Sequence, residues 1–376
     1  MNGFNLSDMV SAQVGSTNVS AVYYGATLIW PKHDYSQDPF TITSLSDNNT
    51  ISIVSTLASD VRMYKWDPSD KSNTFVSTTL NANSTHTVGT LNTGDSYAIV
   101  IFSSSQFNIG KSTSEYINIT ATDNFKVSGN ITTLLDEDPE LFDSSTLENE
   151  SYAFYHLFYN NTYLSDASNL VMPATTLADS CYREMFKGCS SLTSAPILSA
   201  VTLAANCYRA MFSGCAFTVA PTLPATTLAD HCYYYMFENC TSLSTVQPAL
   251  PATTLADYCY GYMFKNCTSL TTAPELPATT LAEYCYRNMF WGCSSLTAAP
   301  ALPATTLAQY CYNSMFKGCT SLSYIKCLAT NISASSSHNY WLSNVASTGT
   351  FVKPSSMTSW PSGTSGIPSG WTVVNV

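Results

Sequence analysis

The sequence predicts an α+β chain: an N-terminal β-sandwich followed by a solenoid of short repeats, each made of a short helix and a short extended segment. Three observations carry this reading. All 13 cysteines lie between Cys181 and Cys327, and twelve of them form pairs eight residues apart. The first members of those pairs (Cys181, Cys207, Cys232, Cys259, Cys285 and Cys311) step by 26, 25, 27, 26 and 26 residues, and a fixed period in this range is the mark of a solenoid. The preceding third has no such period and consists of short β-branched and aromatic runs separated by turn residues.

Residues 1–33 come first. The run Val-Tyr-Tyr-Gly-Ala-Thr-Leu-Ile-Trp-Pro places two apolar stretches around Gly25, which reads as a hairpin. The segment is too short for a core of its own, so Val22, Tyr23, Tyr24, Leu28, Ile29 and Trp30 are the candidate attachment residues. Residues 34–135 carry β runs at 40–42, 50–54, 61–66, 74–78, 85–88, 96–102, 116–120 and 125–127, a spacing that suggests an immunoglobulin-like sandwich. Residues 136–151 hold the one dense acidic run: Asp136, Glu137, Asp138, Glu140, Asp143, Glu148 and Glu150. It reads as a solvated linker, with a calcium site as the weaker alternative, because its spacing follows no known loop.

The repeats occupy residues 152–351 and follow Leu-Pro-Ala-Thr-Thr-Leu-Ala-x-x-Cys-Tyr-x-x-Met-Phe-x-x-Cys-x-Ser-Leu-Thr-x-Ala-Pro-x-Leu. In the fourth regular copy Thr254 and Asp257 have the spacing of a capping box. Leu255, Cys259 and Met263 then form one i, i+4 stripe, and Ala256, Tyr260 and Phe264 an adjacent one. Together they predict a helix with one broad buried face. The position before each second cysteine is Gly188, Gly214, Asn239, Asn266, Gly292 or Gly318, residues that suit a left-handed helix stop. Six helices are therefore expected, beginning after Thr176, Thr202, Thr227, Thr254, Thr280 and Thr306. The following Leu270, Ala273 and Leu276 step by three around Pro274, so a short extended segment with one or two ladder bonds is expected. Degenerate units at each end, around Leu157-Phe158 and Tyr340-Trp341, read as caps, and residues 352–376 as a C-terminal tail.

The stretch Met-Phe-x-x-Cys-x-Ser-Leu resembles the core of BspA-type leucine-rich repeats, with Met-Phe where that family has Ala-Phe. The resemblance covers roughly residues 152–351 and implies a leucine-rich-repeat solenoid that serves adhesion and ligand binding. The order of a short Val-Tyr-Tyr-Gly-Ala-Thr-Leu-Ile-Trp-Pro segment, a sandwich and these repeats is similar to fibre or receptor-binding proteins of phages that infect gut Bacteroides-type bacteria. That likeness implies attachment to other virion proteins through residues 1–33 and contact with a host cell-surface glycan or protein through the repeats. It further implies a virion-surface location after assembly in the host cytoplasm. A bacterial cell-surface adhesin is the alternative, and a homo-oligomer such as a trimer is a further expected state.

Composition narrows the chemistry. The net charge is −11, with only 14 Lys and Arg, so no nucleic-acid partner is expected. The N-terminus lacks a basic region followed by an apolar run, so the sequence as given is expected to start in a cytoplasm. No stretch is apolar enough for a membrane helix, and no membrane insertion is expected. The cysteines read as small buried core residues. Two turns of helix would hold the members of a pair roughly 12 Å apart, which leaves disulfides between adjacent units and zinc as weaker readings. The five histidines share no recurring partner set, so neither catalysis, a metal nor a cofactor is expected.

The outward positions are the candidate site. The residues before the first cysteines are Ser180, Asn206, His231, Tyr258, Tyr284 and Tyr310, the last three forming a tyrosine column. Tyr234, Tyr235, Tyr262, Arg287 and Trp291 share that side. Aligned exposed aromatics suit sugar or protein recognition; equally, tyrosines can cover gaps between units and solubilise a surface poor in charge.

Overall fold

A computed structural model describes residues 40–56, 83–96, 112–135, 145–246 and 250–376 in full. It describes the backbone alone of strand residues 12–14, 17–19, 21–24, 27–31, 59–67, 72–80 and 97–98. Near the N-terminus β1 (Ala12–Val14) pairs antiparallel with β2 (Thr17–Val19), and β3 (Ala21–Tyr24) with β4 (Thr27–Pro31). The side chains of the six candidate attachment residues on β3 and β4 lie outside the described residues, as do residues 136–144 of the acidic run.

Next come β5 (Thr41–Ser44), β6 (Asn49–Ser55), β7 (Ser59–Asp67), β8 (Ser72–Leu80), β9 (Ser84–Leu91), β10 (Ser96–Ala98), β11 (Ile117–Ala121) and β12 (Phe125–Asn130). One sheet has the order β10-β5-β12-β13, where β13 (Leu164–Val171) already belongs to the repeats; a second has β11-β6-β9. Alternation makes the core: along β6 Asn49, Ile51, Ile53 and Ser55 are buried while their neighbours are half-buried. Phe40, Ile42, Ile117, Ile119, Phe125 and Val127 complete that core and are continuous with Leu157 and Phe158 of the first repeat. The junction is hydrogen-bonded as well as packed. The Ile119 N–H donates to Leu157 O at 2.7 Å, and Asn161, standing where later repeats have their second cysteine, donates Nδ2 to Ile119 O at 2.9 Å.

The repeats contain no α-helix among the described residues, which corrects the α+β expectation and the helices placed after Thr176, Thr202, Thr227, Thr254, Thr280 and Thr306. Each predicted helix is a run of consecutive turns. In the fourth copy the N–H groups of Gly261, Met263, Lys265 and Cys267 close turns on the carbonyls three residues back, at 3.0–3.2 Å. The intervening N–H groups of Tyr258, Tyr260, Tyr262, Phe264 and Asn266 leave the repeat. They donate to Glu283, Cys285, Arg287, Met289 and Trp291 of the next copy at 2.7–3.1 Å. Every fourth residue makes this alternation possible by taking a left-handed conformation: Tyr258 (φ 56°), Tyr262 (φ 57°) and Asn266 (φ 60°). For a non-glycine residue this costs about 1–2 kcal/mol, and each such residue places its N–H on the next repeat. At the last left-handed position Gly188, Gly214, Gly292 and Gly318 have φ of 77–78°, so the glycine and asparagine read as helix stops do mark positive φ, inside a turn row.

The supposed capping boxes have another use. Asp230 Oδ1 accepts the Asp257 N–H (3.2 Å) and Asp257 Oδ1 accepts the Glu283 N–H (3.0 Å), each one repeat on. Thr254 makes a parallel bridge with Thr227. The other side of the solenoid is stitched by similarly brief parallel contacts, among them β14 (Val219–Ala220) with β15 (Thr245–Val246). It ends in the parallel sheet β16 (Tyr324–Lys326), β17 (Gly349–Lys353) and β18 (Trp371–Asn375).

Inside, two aromatic spines run the length of the solenoid. Phe158, Phe186, Phe212, Phe237, Phe264, Phe290 and Phe316 stack at 5.3–5.9 Å. Phe154, Tyr182, Tyr208, Tyr233, Tyr260, Tyr286 and Tyr312 form the second at 5.3–6.1 Å, and Trp341 and Trp360 extend it. All 13 cysteines are buried free thiols. At the C-terminal end Phe316 N–H donates to Trp341 O as Phe186 does to Met211 O, so Trp341 and Leu342 occupy the Met-Phe places, one residue later than the sequence suggests.

Candidate recognition face

Two residues in, two residues out is the rhythm of the turn row. Cys259-Tyr260 and Met263-Phe264 point inward, so Tyr258, Gly261-Tyr262 and Lys265-Asn266 face outward in the same copy. Stacking the copies turns each outward position into a column. Tyr258, Tyr284 and Tyr310 are brought into one stack, with ring centroids 4.2 and 4.6 Å apart and planes 7° from parallel. His231 continues it at 4.6 Å from Tyr258. These rings spend their faces on one another and are half-buried; they offer edges and hydroxyls.

The other candidates adjoin this column. Tyr234 meets Tyr235 at 4.3 Å, Tyr262 at 5.5 Å and Tyr258 at 5.8 Å, in each case edge-on. Tyr235 and Tyr262 are 4.6 Å apart and tilted. Gly261 makes room for this: a Cβ there would lie 2.9 Å from the Tyr234 ring carbons. Arg287 lies over Tyr284 at 5.6 Å and over Tyr262 at 6.0 Å. Trp291 is flanked by the ammonium groups of Lys265 (5.2 Å) and Lys317 (4.9 Å). All eight residues named from the sequence therefore fall on one contiguous face.

Sequence reasoning missed several participants. Lys265, Lys317 and Glu238 occupy the Trp291 position in neighbouring copies, with Lys265 Nζ 2.8 Å from Glu238 Oε1. Arg209 lies 5.2 Å from the Tyr234 ring. Listing the residue after each Met-Phe would have exposed that column. A second cluster on the same face forms where the N-terminal sheets meet the repeats. His156 stacks between Tyr155 (3.8 Å) and Tyr159 (4.0 Å), meets Tyr116 edge-on (4.8 Å), and places Nε2 3.1 Å from Glu184 Oε2. Burial acts to raise the Glu184 carboxyl, but the His156 hydrogen bond and the Lys187 ammonium overcome it and hold the pKa at about 2. Tyr116 comes from outside the repeats, so no repeat pattern could announce this contact.

The thiols lie inside, away from this face. Burial pushes Cys240, Cys311, Cys319 and Cys327 up to about 12 and the others higher still. No group of His, Cys, Asp or Glu among the described residues is arranged to hold a metal ion.

A stacked-turn solenoid with a patterned outer face defines a repeat protein. The chain belongs to the family described as the BspA type leucine-rich repeat region: six copies match over residues 150–297 and 259–364, more than half of its 376 residues. Neither the curated proteins nor the solved structures contain a match to it.

Proposed function

We propose that this chain is a non-enzymatic attachment protein that recognises a cell-surface glycan or protein through the turn face of its repeats. The observation that carries the reading is the convergence of Tyr258, Tyr284, Tyr310, Tyr262, Trp291, Arg287, Tyr234 and Tyr235 on one face, away from the inward stripe that stabilises the solenoid. Solenoid packing requires the inward rings; it does not require seven large outward side chains in contact with one another and an eighth, Trp291, joined to them through Lys265. Rigid aromatics with few rotatable bonds bury area at low entropic cost on binding.

The finer reading is a fibre or receptor-binding protein of a virion, held to other virion proteins through residues 1–33. What supports it is the order of an apolar hairpin, a sandwich and a repeat solenoid. A bacterial cell-surface adhesin uses the same face, and membership of the BspA-type family favours it. Binding of the full chain to intact host cells, with a Tyr258→Ser, Tyr284→Ser, Tyr310→Ser variant beside it, tests the face. Unchanged binding at unchanged melting temperature moves the ligand site elsewhere. Labelling of purified particles with an antibody against this chain separates virion from cell surface.

A further inference from the structure

We infer that the ligand of the turn face is an anionic polysaccharide lying along the solenoid axis; this rests on the recognition reading above and adds the charge and class of the ligand. The first observation is where the cations stand. The chain has 14 Lys and Arg against 25 Asp and Glu. Yet Arg183, Lys187, Arg209, Lys265, Arg287 and Lys317 all occupy outward turn positions, and Lys326 is the one other cation of the repeats.

The second observation is which of them keep their charge. Arg183 and Lys187 are tied to Glu184 at 3.4 and 3.1 Å, and Lys265 to Glu238 at 2.8 Å. Among the described residues Arg209, Arg287 and Lys317 have no carboxylate in ion-pair range. They rest on the rings of Tyr234, Tyr284 and Trp291, and an aromatic face steadies a cation without cancelling its charge. The buried Nε of Arg287 has no acceptor at all. Three cations on an acidic protein are thus held in place without an ion-pair partner among the described residues. Of the carboxylates on the turn row, Glu184 and Glu238 are taken up by the pairs above, and Asp230 and Asp257 each accept a backbone N–H group of the next repeat.

The third observation is regularity. Over three consecutive repeats the column presents one phenol per repeat, at steps of 4.2 and 4.6 Å, and the unpaired cations stand beside it at uneven intervals: Arg209 and Arg287 in one outward column three repeats apart, Lys317 in another. A polymer that repeats hydroxyls at a fixed interval matches the phenols, and one that carries a carboxylate or sulfate on every unit meets the cations wherever they stand along it. An acidic polypeptide brings its charges on flexible side chains without such a register. Fixed cations beside aligned hydroxyls complement such a polymer in charge, and the phenols complement it in spacing.

The test uses the full chain and three probes: polygalacturonate, its methyl ester with the same backbone and no charge, and poly-L-glutamate. Polygalacturonate is expected to bind, the ester and poly-L-glutamate about tenfold more weakly or not at all, and affinity for polygalacturonate to fall as salt rises. Arg287→Gln with Lys317→Gln is expected to weaken polygalacturonate binding about tenfold at unchanged melting temperature. Should that variant fail to fold, the salt titration of the unaltered protein decides. Equal binding of acid and ester, or affinity indifferent to salt, overturns the charge inference and leaves the recognition face standing. Preference for poly-L-glutamate overturns it in favour of an acidic protein. No binding to polygalacturonate by a protein that still binds intact cells also overturns it, while loss of cell binding too defeats the recognition reading itself.

Discussion

Cys267 donates its thiol to the backbone carbonyl of Phe237, 3.1 Å away and one repeat earlier. Cys189, Cys215, Cys240, Cys293 and Cys319 repeat the contact on Phe158, Phe186, Phe212, Phe264 and Phe290 at 3.0–3.2 Å. The second cysteine of each pair is therefore a small apolar residue with one weak donor, which fits a closed cavity beside a carbonyl that already accepts a turn N–H. Native protein at neutral pH is expected to leave all 13 thiols unmodified by a thiol reagent, and denatured protein to react at all 13. Rapid labelling of any cysteine in the folded state would contradict this burial. Cys267→Ala removes the donor and leaves a small void, and is expected to cost about 1–2 kcal/mol by chemical denaturation.

A second expectation separates the turn row from the helix that the sequence suggested. As a helix N-cap, Thr254 would cost about 1 kcal/mol on conversion to alanine. Its structural part is a backbone bridge to Thr227, and its side chain is exposed, so Thr254→Ala is expected to change stability by less than about 0.5 kcal/mol. Met263 is fully buried, and Met263→Ala is expected to cost about 2–5 kcal/mol. Urea midpoints for the two variants check both values, and a cap-sized loss at Thr254 would restore the helical reading.

The inward residues were legible because burial needs only a pattern, and Cys181, Tyr182, Met185, Phe186 and Cys189 carry it. The backbone was not, because a strict period of four differs from the helical 3.6 by less than one residue over the eight positions between paired cysteines. The residues at the left-handed positions held the discriminating signal. Ser180, Asn206, Tyr258 and Tyr284 at one left-handed position, and Asn288 and Ser314 at another, are poor helix formers where a helix would favour Ala, Glu or Lys. Of the site, the aromatic positions could be read from the period. Stacking of Tyr258 on Tyr284, and the entry of Tyr116 beside His156, depend on side-chain direction and on contacts distant in sequence.

Glu184 gives the stability a defined pH dependence. Its folded pKa of about 2 lies below its ordinary 4.5. The stabilisation is therefore complete above about pH 4.5 and is lost as pH falls toward 2. The amount at stake is at most about 3 kcal/mol. Glu184→Gln is expected to lower stability near pH 7 and to flatten the acid limb between these values. Denaturation midpoints measured down the pH scale test this; equal acid sensitivity in the variant would assign the loss to other carboxylates.

Gly261 offers the most selective test of the recognition face. Its φ is not positive, so an alanine there meets no backbone strain, and the turn N–H of Gly261 to Tyr258 O (3.0 Å) remains. The added Cβ would lie 2.9 Å from two ring carbons of Tyr234, a separation that makes the ring move. Tyr234 contacts Tyr235, Tyr258 and Tyr262 and carries the guanidinium of Arg209, so moving it disturbs the outer face and leaves the inward spines untouched. Gly261→Ala is expected to keep the melting temperature within the range of an ordinary surface substitution, about 0.5 kcal/mol or less. The same variant is expected to weaken binding to host cells, or to any glycan that the native chain binds, by about tenfold. A Gly261→Ala, Tyr234→Ala double variant relieves the clash while losing the ring. If it binds no better than Gly261→Ala, the ring itself is the contact; if binding returns to the native level, Tyr234 is only packing. Full native binding by Gly261→Ala alone would remove Tyr234 from the site and leave recognition to the Tyr258, Tyr284 and Tyr310 column with Trp291.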